Sequence, residues 1–265
     1  MLLRSWNLFH GNTLPPRRRR YVEQMVRLVC ENDPVLVCLQ EVPPFALPHL
    51  ERWAGRTAVG DVAMRARIPG PLGVKLTDLH SGFIRSGVEG QANAMLVAPG
   101  VEVLHHEVVA LNPRRFRRRE AERMGLPWRA RLAWALERRI CQVLRLRLAD
   151  GRVVLAANLH ATSYRTDKRL ADAELRRAAS FVDAFADADE PVILGGDFNV
   201  TTFSSPTLRE LAGPEWGFSA PGPGLDHVLM RGLTVVEGER HWPDERRRHG
   251  TGLLSDHAPV EVVAE

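Results

Sequence analysis

The stretch that decides the fold is Val192-Ile193-Leu194-Gly195-Gly196-Asp197-Phe198-Asn199. Its apolar start predicts a short β-strand, and the strand ends on Asp197 and Asn199. Because these two residues are two apart, an extended backbone points both side chains the same way. The segment therefore predicts a pair of polar groups at the carboxyl end of a strand.

Three earlier apolar runs also predict strands, and each ends in a polar side chain. These terminal residues are Asn7, Glu41 and His160. Each one alone is an ordinary strand-end or core residue, since polar groups commonly follow strands. Their repetition at the ends of separate strands predicts that they share one rim of the core.

Two segments near the end of the chain have the opposite polarity. One begins with Asp226 and the other with Asp256 and His257, and both then become apolar. If all these polar ends share one rim, the last two strands run opposite to the earlier ones. The pattern therefore predicts a mixed or antiparallel sheet arrangement and argues against an all-parallel doubly wound sheet. His227 follows Asp226 and is expected on the other face of its strand, in a structural role.

The remaining pattern predicts a single α/β domain over residues 1–265, because no repeat or composition shift marks a boundary. Apolar residues at helical spacing predict helices over 17–32 and 166–186. Residues 69–90 are rich in Gly and Pro, which predicts a long surface loop. Residues 112–139 are densely basic with interleaved Leu and Trp, which predicts a helical insertion between two strands.

The composition is that of an ordinary globular protein, with 45% hydrophobic and 26% charged residues. The net charge is +4, and Lys75 and Lys168 are the two lysines among 36 basic residues. This balance suits a polyanionic partner, although such an excess of arginine is also typical of a GC-rich genome. Three cysteines without a CxxC spacing predict reduced, buried thiols. We expect a cytoplasmic location, with neither a signal peptide nor a membrane span.

The predicted rim is crowded with carboxylates. Such groups repel one another and raise each other's pKa unless a cation compensates. Oxygen ligands suit a hard ion, Mg²⁺ or Mn²⁺, better than zinc. Together with the histidines, this set predicts metal-assisted phosphoryl chemistry, in which an Asp–His pair handles protons and developing charge. The four carboxylates are Glu41, Asp197, Asp226 and Asp256.

These segments, in this order, resemble the endonuclease/exonuclease/phosphatase superfamily. That group includes deoxyribonuclease I, exonuclease III-type enzymes, inositol-polyphosphate 5-phosphatases and neutral sphingomyelinases. The resemblance implies a four-layer α/β/β/α sandwich with two mixed β-sheets packed face to face, as in deoxyribonuclease I. The motifs that carry it are Trp6-Asn7, Leu39-Gln40-Glu41-Val42, Asn158-Leu159-His160, Gly195-Gly196-Asp197-Phe198-Asn199, Leu225-Asp226-His227 and Ser255-Asp256-His257.

The resemblance implies a metal site. Glu41 corresponds to the main ligand of Mg²⁺ or Mn²⁺, and Asn7 and Asp256 assist it. These assignments follow from position in the motifs.

The resemblance also implies catalytic roles. Asp197 would orient or deprotonate the attacking water, and Asn199 would hydrogen-bond the scissile phosphate. His257, paired with Asp226, and His160 would bind the phosphate and stabilise the pentacovalent transition state.

One segment departs from many relatives. Where these often have Gly-Asn-Ala followed by Ser-Arg-x-Pro, this chain has residues 91–99 without that arginine. Asn93 matches the asparagine and is a candidate for substrate binding. The sequence offers no carboxylate partner for His160, and Asn93 is a candidate for that place too.

The substrate stays open at this stage, because one site design serves several phosphoesters. A nuclease acting on DNA, or on RNA, is the first expectation, with the basic insertion at 112–139 neutralising backbone phosphates and its Trp residues stacking on bases. A phosphatase or phosphodiesterase on a small or lipid phosphate (inositol phosphate, sphingomyelin or a nucleotide) is the alternative. The insertion could equally be an amphipathic cover, or bind an anionic membrane surface. We expect a monomer with no stable protein partner and no membrane association.

Overall fold

The computed structural model describes residues 1–17, 20–66 and 88–265. Most of the loop predicted at residues 69–90 therefore lies outside the described residues. None of the helices in the described part of the chain combines the length and apolar character that a membrane span needs. That all 265 residues form one domain stays a prediction.

The strands and helices of the described residues follow one another in this order. The strands are β1 (Leu2–Asn7), β2 (Thr13–Leu14), β3 (Leu36–Val42), β4 (Thr57–Met64), β5 (Gln91–Val97), β6 (Glu102–Ala110), β7 (Ile140–Arg147), β8 (Val153–His160), β9 (Val192–Asp197), β10 (Asp226–Arg231), β11 (Val235–His241), β12 (Arg248–His249), β13 (Gly252–Leu254) and β14 (Val260–Ala264). The α-helices are α1 (Val22–Val29), α2 (Leu50–Ala54), α3 (Arg114–Arg123), α4 (Trp128–Leu136), α5 (Arg169–Phe185) and α6 (Pro206–Leu211).

Two mixed sheets carry the fold. One has six strands in the order β11-β14-β1-β3-β5-β4, and the other has five in the order β10-β9-β8-β7-β6. Within them β1 is parallel to β3 and β8 is parallel to β9, whereas β10 and β14 run antiparallel to β9 and β1. The reversed direction of the last two polar-ended strands is thus confirmed. A small third sheet joins β12, β13 and β2.

The layers follow from which face each apolar side chain covers. A core between the two sheets contains Leu36 and Cys38 of β3 with Leu144 of β7 and Ile193 of β9. On the outer face of the six-stranded sheet, α1 and α2 pack over β1, β3 and β5. On the outer face of the five-stranded sheet, α5 and α6 pack over β7, β8 and β9. The four-layer α/β/β/α arrangement is therefore confirmed.

A buried amide joins the two sheets near the rim. The Asn158 Nδ2 atom donates to the carbonyl oxygens of Leu39 and Ala94, both at 3.0 Å. Its Oδ1 atom accepts a hydrogen bond of 2.8 Å from Nε2 of Gln40. A polar group buried this deeply destabilises the fold unless it is satisfied, so these bonds fix how the sheets face each other.

One glycine is dictated by close approach of two strands. Gly196 in β9 has φ +141°, and a Cβ atom there would lie 1.9 Å from the carbonyl oxygen of Leu159 in β8. That distance is far inside van der Waals contact, so glycine alone fits. The contact brings the carboxyl ends of β8 and β9 side by side.

Some predicted elements differ from those observed. The helix expected over residues 17–32 is α1, which begins only at Val22, because Asn12 Oδ1 accepts from the Arg17 amide and Gly11 O from the Tyr21 amide. Strands β4 and β5 were not predicted as strands. They pair with each other, and β5 also pairs with β3. The predicted basic insertion contains α3 and α4 between β6 and β7.

Candidate active site

Strand register brings three polar ends together. His160 at the end of β8 pairs with Asp197 at the end of β9, and Asp197 pairs with Asp226 at the start of β10. From the facing sheet, Asn7 at the end of β1 donates through Nδ2 to Asp197 Oδ2 at 2.9 Å. Both sheets thus contribute side chains to one rim.

A partly buried Asp–His pair lies on this rim. Nδ1 of His257 is 2.6 Å from Oδ2 of Asp226, which is 5% exposed. Burial alone would lower the pKa of His257, but the carboxylates of Asp226 and Asp197 raise it well above its ordinary value. His257 is therefore a cation at neutral pH, with Nε2 3.9 Å from Asp197 Oδ2. It can hold an anion or give a proton to a leaving oxygen.

Asp197 lies at the centre of the rim. Oδ1 accepts the Asn199 amide at 3.0 Å, and Oδ2 accepts from Asn7. Burial, followed by the charge of Asp226, raises the pKa of Asp197. A carboxylate with a raised pKa is suited to accept a proton from water.

Asn199 is fixed in an unusual backbone conformation. Its φ is +54°, in the left-handed region that asparagine tolerates better than most residues. The side-chain Nδ2 atom donates to Ala161 O at 3.0 Å, and Lys168 Nζ donates to its backbone carbonyl at 2.8 Å. These contacts hold the loop after β9 against the residue that follows His160.

Glu41 also has a left-handed backbone. Its φ is +50°, next to a register shift in the pairing of β3 with β5 between Leu39 and Val42. Such a bulge redirects side chains at the end of a strand, and a strained non-glycine residue at a strand end is typical of functional sites. Burial and the nearby charge of Asp256 raise the pKa of Glu41 to about 7.

The carboxylates of Glu41 and Asp256 lie close enough to attract a hard cation. The charge of the exposed Asp256 disfavours the negative charge of Glu41, and a cation near both would remove that cost. Carboxylate oxygens from these residues suit Mg²⁺ or Mn²⁺. The Asn7 Oδ1 atom accepts the Phe9 amide at 3.0 Å and has a second lone pair for a cation. The donor set present therefore fits the predicted metal.

The distances on the rim identify a second set of possible metal ligands. Asp197, Asp226 and His257 each offer one ligand atom, all within 4.8 Å of one another. However, the Asp226–His257 hydrogen bond already joins Oδ2 to Nδ1, and the raised pKa of His257 keeps its ring protonated. These three residues are better suited to proton transfer and phosphate binding than to metal ligation.

His160 faces a guanidinium. Nη1 of Arg139 lies 2.9 Å from Nδ1 and 3.0 Å from Nε2 of His160. Burial and the charge of Arg139 lower the pKa of His160 well below its ordinary value. The imidazole is therefore neutral, 3.6 Å from Asp197 and 3.8 Å from Glu41. The two rim histidines thus differ in charge.

The suggestion that Asn93 partners His160 is wrong. Asn93 is buried in β5 and its Nδ2 atom donates to the carbonyl of Ile140 at 3.4 Å. Arg139 contacts His160 instead, and Nη1 of Arg139 also donates to Gln91 Oε1 at 3.3 Å. The role of Asn93 in substrate binding stays a prediction.

Two residues of the site were missed by sequence reasoning. Arg139 is one basic residue in a strongly basic segment, and no local pattern separates it from the others. The other is His10, which is buried and has its Nε2 atom 3.4 Å from Glu41 Oε2. The sequence feature that could have identified Arg139 as a site residue is its position directly before the strand that begins at Ile140.

The basic insertion leaves the sheet at the rim and returns there, because Ala110 at the end of β6 pairs with Ile140 at the start of β7. Its inner face is a cover. Trp134 is fully buried, and its Nε1 atom donates to Glu174 Oε1 at 2.6 Å. Glu174 also accepts from the Thr162 amide at 2.6 Å, which ties the insertion to the loop after His160.

The outer face of α3 is different. Three exposed arginines line a surface depression there. Other arginines of the insertion are used internally: Arg131 donates to Leu126 O at 2.8 Å and Arg123 to Glu120 Oε2 at 2.7 Å. The insertion is therefore both a cover and a cationic surface. The three exposed arginines are Arg114, Arg115 and Arg118.

Solved structures of similar fold include a truncated TDP2 of Caenorhabditis elegans, with a TM-score of 0.61 at 17% identity over 98% of this chain and 95% of that one. The human Nocturnin catalytic domain with a bound sulfate anion gives 0.66 at 14% identity, over 100% and 93%. A mannosyl-6-phosphatase of Bacteroides thetaiotaomicron gives 0.60 at 15% identity, over 100% and 99%. At these identities the likeness shows the fold.

A search among curated proteins found no match. The sequence profile of the Endonuclease/Exonuclease/phosphatase family, by contrast, matches residues 5–257, which include all nine predicted site residues. With two packed mixed sheets and a shared polar rim, the chain belongs to the Endonuclease/Exonuclease/phosphatase family, whose members hydrolyse phosphoester bonds.

Proposed function

We propose that this protein is a cytoplasmic, monomeric, Mg²⁺- or Mn²⁺-dependent phosphodiesterase that cuts DNA. The observation that carries the hydrolase proposal is the hydrogen-bonded set Asn7–Asp197 and Asp226–His257, placed beside the carboxylate of Glu41 on one rim. This arrangement offers a proton acceptor, a proton donor and a cation ligand within one small volume.

Glu41, Asn7 and Asp256 would hold the metal. When bound, it would polarise the phosphate and favour charge on the leaving oxygen. The left-handed Glu41 backbone aims the side chain at the rim rather than into the sheet.

The chain's own residues would handle the proton and the phosphate. Asp197, held by Asn7 and by the Asn199 amide, would accept the proton of the attacking water. His257, cationic because of Asp226, would bind a phosphate oxygen and stabilise the negative charge that grows in the transition state. Neutral His160 would hydrogen-bond a second oxygen, with the charge of Arg139 behind it.

The support for DNA comes from the surface of the insertion. Arg114, Arg115 and Arg118 are exposed at one depression, where they would neutralise backbone phosphates. Trp128 is 68% exposed and could stack on a base, whereas the fully buried Trp134 could not. TDP2 and Nocturnin share the fold at low identity.

The first experiment is nicking of supercoiled plasmid by purified protein in Mg²⁺ at low salt, with and without chelator. We expect nicking that requires the metal and is lost in His257→Ala. An Arg114→Gln/Arg115→Gln/Arg118→Gln variant should weaken DNA binding and flatten its salt dependence, because each phosphate contact contributes about one unit to the slope.

A soluble aryl phosphodiester provides the control, because it needs no extended surface. The triple arginine variant should hydrolyse it at the wild-type rate. Absence of nicking by folded protein that hydrolyses the aryl diester would reject DNA and keep the hydrolase. Inactivity on both substrates and on a panel of phosphate monoesters would reject the hydrolase proposal itself.

A second candidate function, hydrolysis of a lipid or small phosphate, is favoured by one observation. Trp128, Leu132 and Leu136 on α4 are all more than half exposed. DNA would leave Leu132 and Leu136 in water. A mannosyl-6-phosphatase also shares the fold.

A further inference from the structure

Helix α4 (Trp128–Leu136) has two apolar faces. Ala130 and Trp134 are buried against α3 and α5, whereas Trp128, Leu132 and Leu136 are 68%, 54% and 51% exposed. Because the exposed three are spaced four residues apart, they lie along one side of the helix. A surface helix ordinarily has polar residues there. The exposed apolar stripe of α4 departs from that pattern.

Arginines border the stripe. Arg129 is exposed within α4, and exposed Arg138 follows the helix. The Arg129 guanidinium lies 5.4 Å from the centre of the Trp128 ring. An apolar stripe with arginines at its edges is the pattern of a helix that lies in the plane of a membrane interface.

We propose that this face of α4 docks on an anionic lipid bilayer. A bilayer supplies both partners that the face needs, acyl chains for the leucines and Trp128, and negative headgroups for the arginines. A nucleic acid would neutralise the arginines but leave Leu132 and Leu136 in water. A second copy of this chain would bring two positively charged surfaces together.

The docking face lies beside the active site. Three residues separate Leu136 from Ile140, where β7 begins, and Cys141 in β7 pairs with Leu159, next to His160. Phe203, four residues after Asn199 in the chain, is 98% exposed. A bilayer held against α4 would therefore border the rim. This inference goes beyond the proposed function, does not depend on which phosphoester is cut, and replaces the expectation of no membrane association.

Vesicle sedimentation tests the proposal, with the full chain in chelator so that no turnover occurs. The probes are phosphatidylcholine vesicles with about one third phosphatidylglycerol, and phosphatidylcholine vesicles alone. We expect binding to the anionic vesicles, weakened at least about tenfold in Leu132→Ser/Leu136→Ser. Arg129→Gln should reduce the preference for anionic over neutral vesicles.

The matched control removes exposed apolar side chains elsewhere. Val235→Ser/Val236→Ser changes two exposed residues of β11 and should bind vesicles as wild type does. All variants should keep the wild-type melting temperature and rate on the soluble aryl diester, so docking and catalysis are scored separately.

Three outcomes would overturn the proposal. Equal vesicle binding by wild type and the leucine variant, or no binding by either, would show that a bilayer is not the partner of this face of α4. A dimer that dissociates in the leucine variant would assign the face to a second copy of the chain. A loss of DNA affinity in the leucine variant as large as its loss of vesicle affinity would assign the face to nucleic acid.

Discussion

Nδ1 of His257 lies 2.6 Å from Oδ2 of Asp226, and the two residues come from segments 31 positions apart in the chain. The contact requires β10 to run antiparallel to β9, so that Asp226 begins a strand where Asp197 ends one. Antiparallel entry of the last strands is therefore what builds the acid–base pair. The two rim histidines differ in charge, because His257 lies beside two carboxylates and the buried His160 lies beside Arg139.

Substitution of the pair should abolish turnover without unfolding the protein. We expect Asp226→Asn and His257→Ala each to lower kcat about 10²- to 10⁴-fold, because the protonated ring no longer stabilises the transition state. Asp197→Ala should be at least as severe. The control is Asp183→Asn, which removes an exposed carboxylate paired with Arg231 and should leave kcat unchanged. A near-wild-type rate for either His257→Ala or Asp197→Ala would show that the site assignment is wrong.

Metal binding should be visible as stability. We expect saturating Mg²⁺ to stabilise the fold by about 2 to 3 kcal/mol, a rise in Tm of about 5 to 10 °C, and this rise should be absent in Glu41→Ala. Calorimetry with and without chelator measures it. Wild type and Glu41→Ala with the same metal-induced rise would remove Glu41 from the ligand set.

The same site predicts a gain in the metal-free protein. Glu41→Gln removes one of two carboxylates that repel each other, Glu41 and Asp256, while keeping nearly the same shape. In chelator the variant should melt a few degrees above wild type, by roughly 1 to 3 °C. A lower Tm in chelator would mean that the charges of Arg139 and His257 already stabilise the charged form of Glu41.

A feature of the fold could be predicted from sequence where residues close together in the chain determine it. It could not be predicted where residues far apart in the chain determine it. The position of the polar residue, at the start or at the end of each apolar run, predicted the direction of each strand. For this reason the antiparallel placement of Asp226 could be predicted. The contact between Arg139 and His160 depends on where a basic insertion returns to the sheet. The spacing of residues along the chain does not indicate where the insertion returns to the sheet. The sequence therefore does not distinguish Arg139 from the neighbouring arginines. Trp128 and Trp134 likewise have the same local context, yet one is exposed and the other buried.

Gly196 should be irreplaceable for a geometric reason. In Gly196→Ala the new Cβ would lie 1.9 Å from Leu159 O, and we expect a loss of more than about 3 kcal/mol in the free energy of unfolding, measured by urea denaturation. Gly100→Ala is the control, because it has φ +83° and no heavy atom within 4 Å of the new Cβ. Gly100→Ala should lower the free energy of unfolding only by the backbone strain, about 1 to 2 kcal/mol. Equal costs would mean that β8 and β9 separate easily.

His227 predicts a pH dependence of stability. It is fully buried on the other face of β10, with Nδ1 3.0 Å from Oε2 of Glu239 in β11. Burial alone would lower the pKa of His227, but Glu239, the Val200 carbonyl and the charge of Asp226 raise it above the ordinary value.

The sign follows from this raised pKa. The stabilisation is complete below the unfolded-state pKa of about 6.5 and is lost as pH rises through the higher folded-state pKa. The difference in unfolding free energy between wild type and His227→Gln should therefore shrink from pH 6 to pH 8. Urea titrations across that range measure it, and a difference that grows with pH would show that His227 is neutral in the folded protein.

Arg139 should be a working part of the site. It supplies positive charge behind His160 from a buried position where Glu137 Oε2 and Gln91 Oε1 orient it. We expect Arg139→Gln to lower kcat/KM about 10²-fold, with partial recovery in Arg139→Lys, because a charge remains but not the fork of donors. The neighbouring exposed Arg138 gives the matched control, and Arg138→Gln should retain the wild-type kcat/KM. If Arg139→Gln lowered Tm but not kcat/KM, its role would be structural alone.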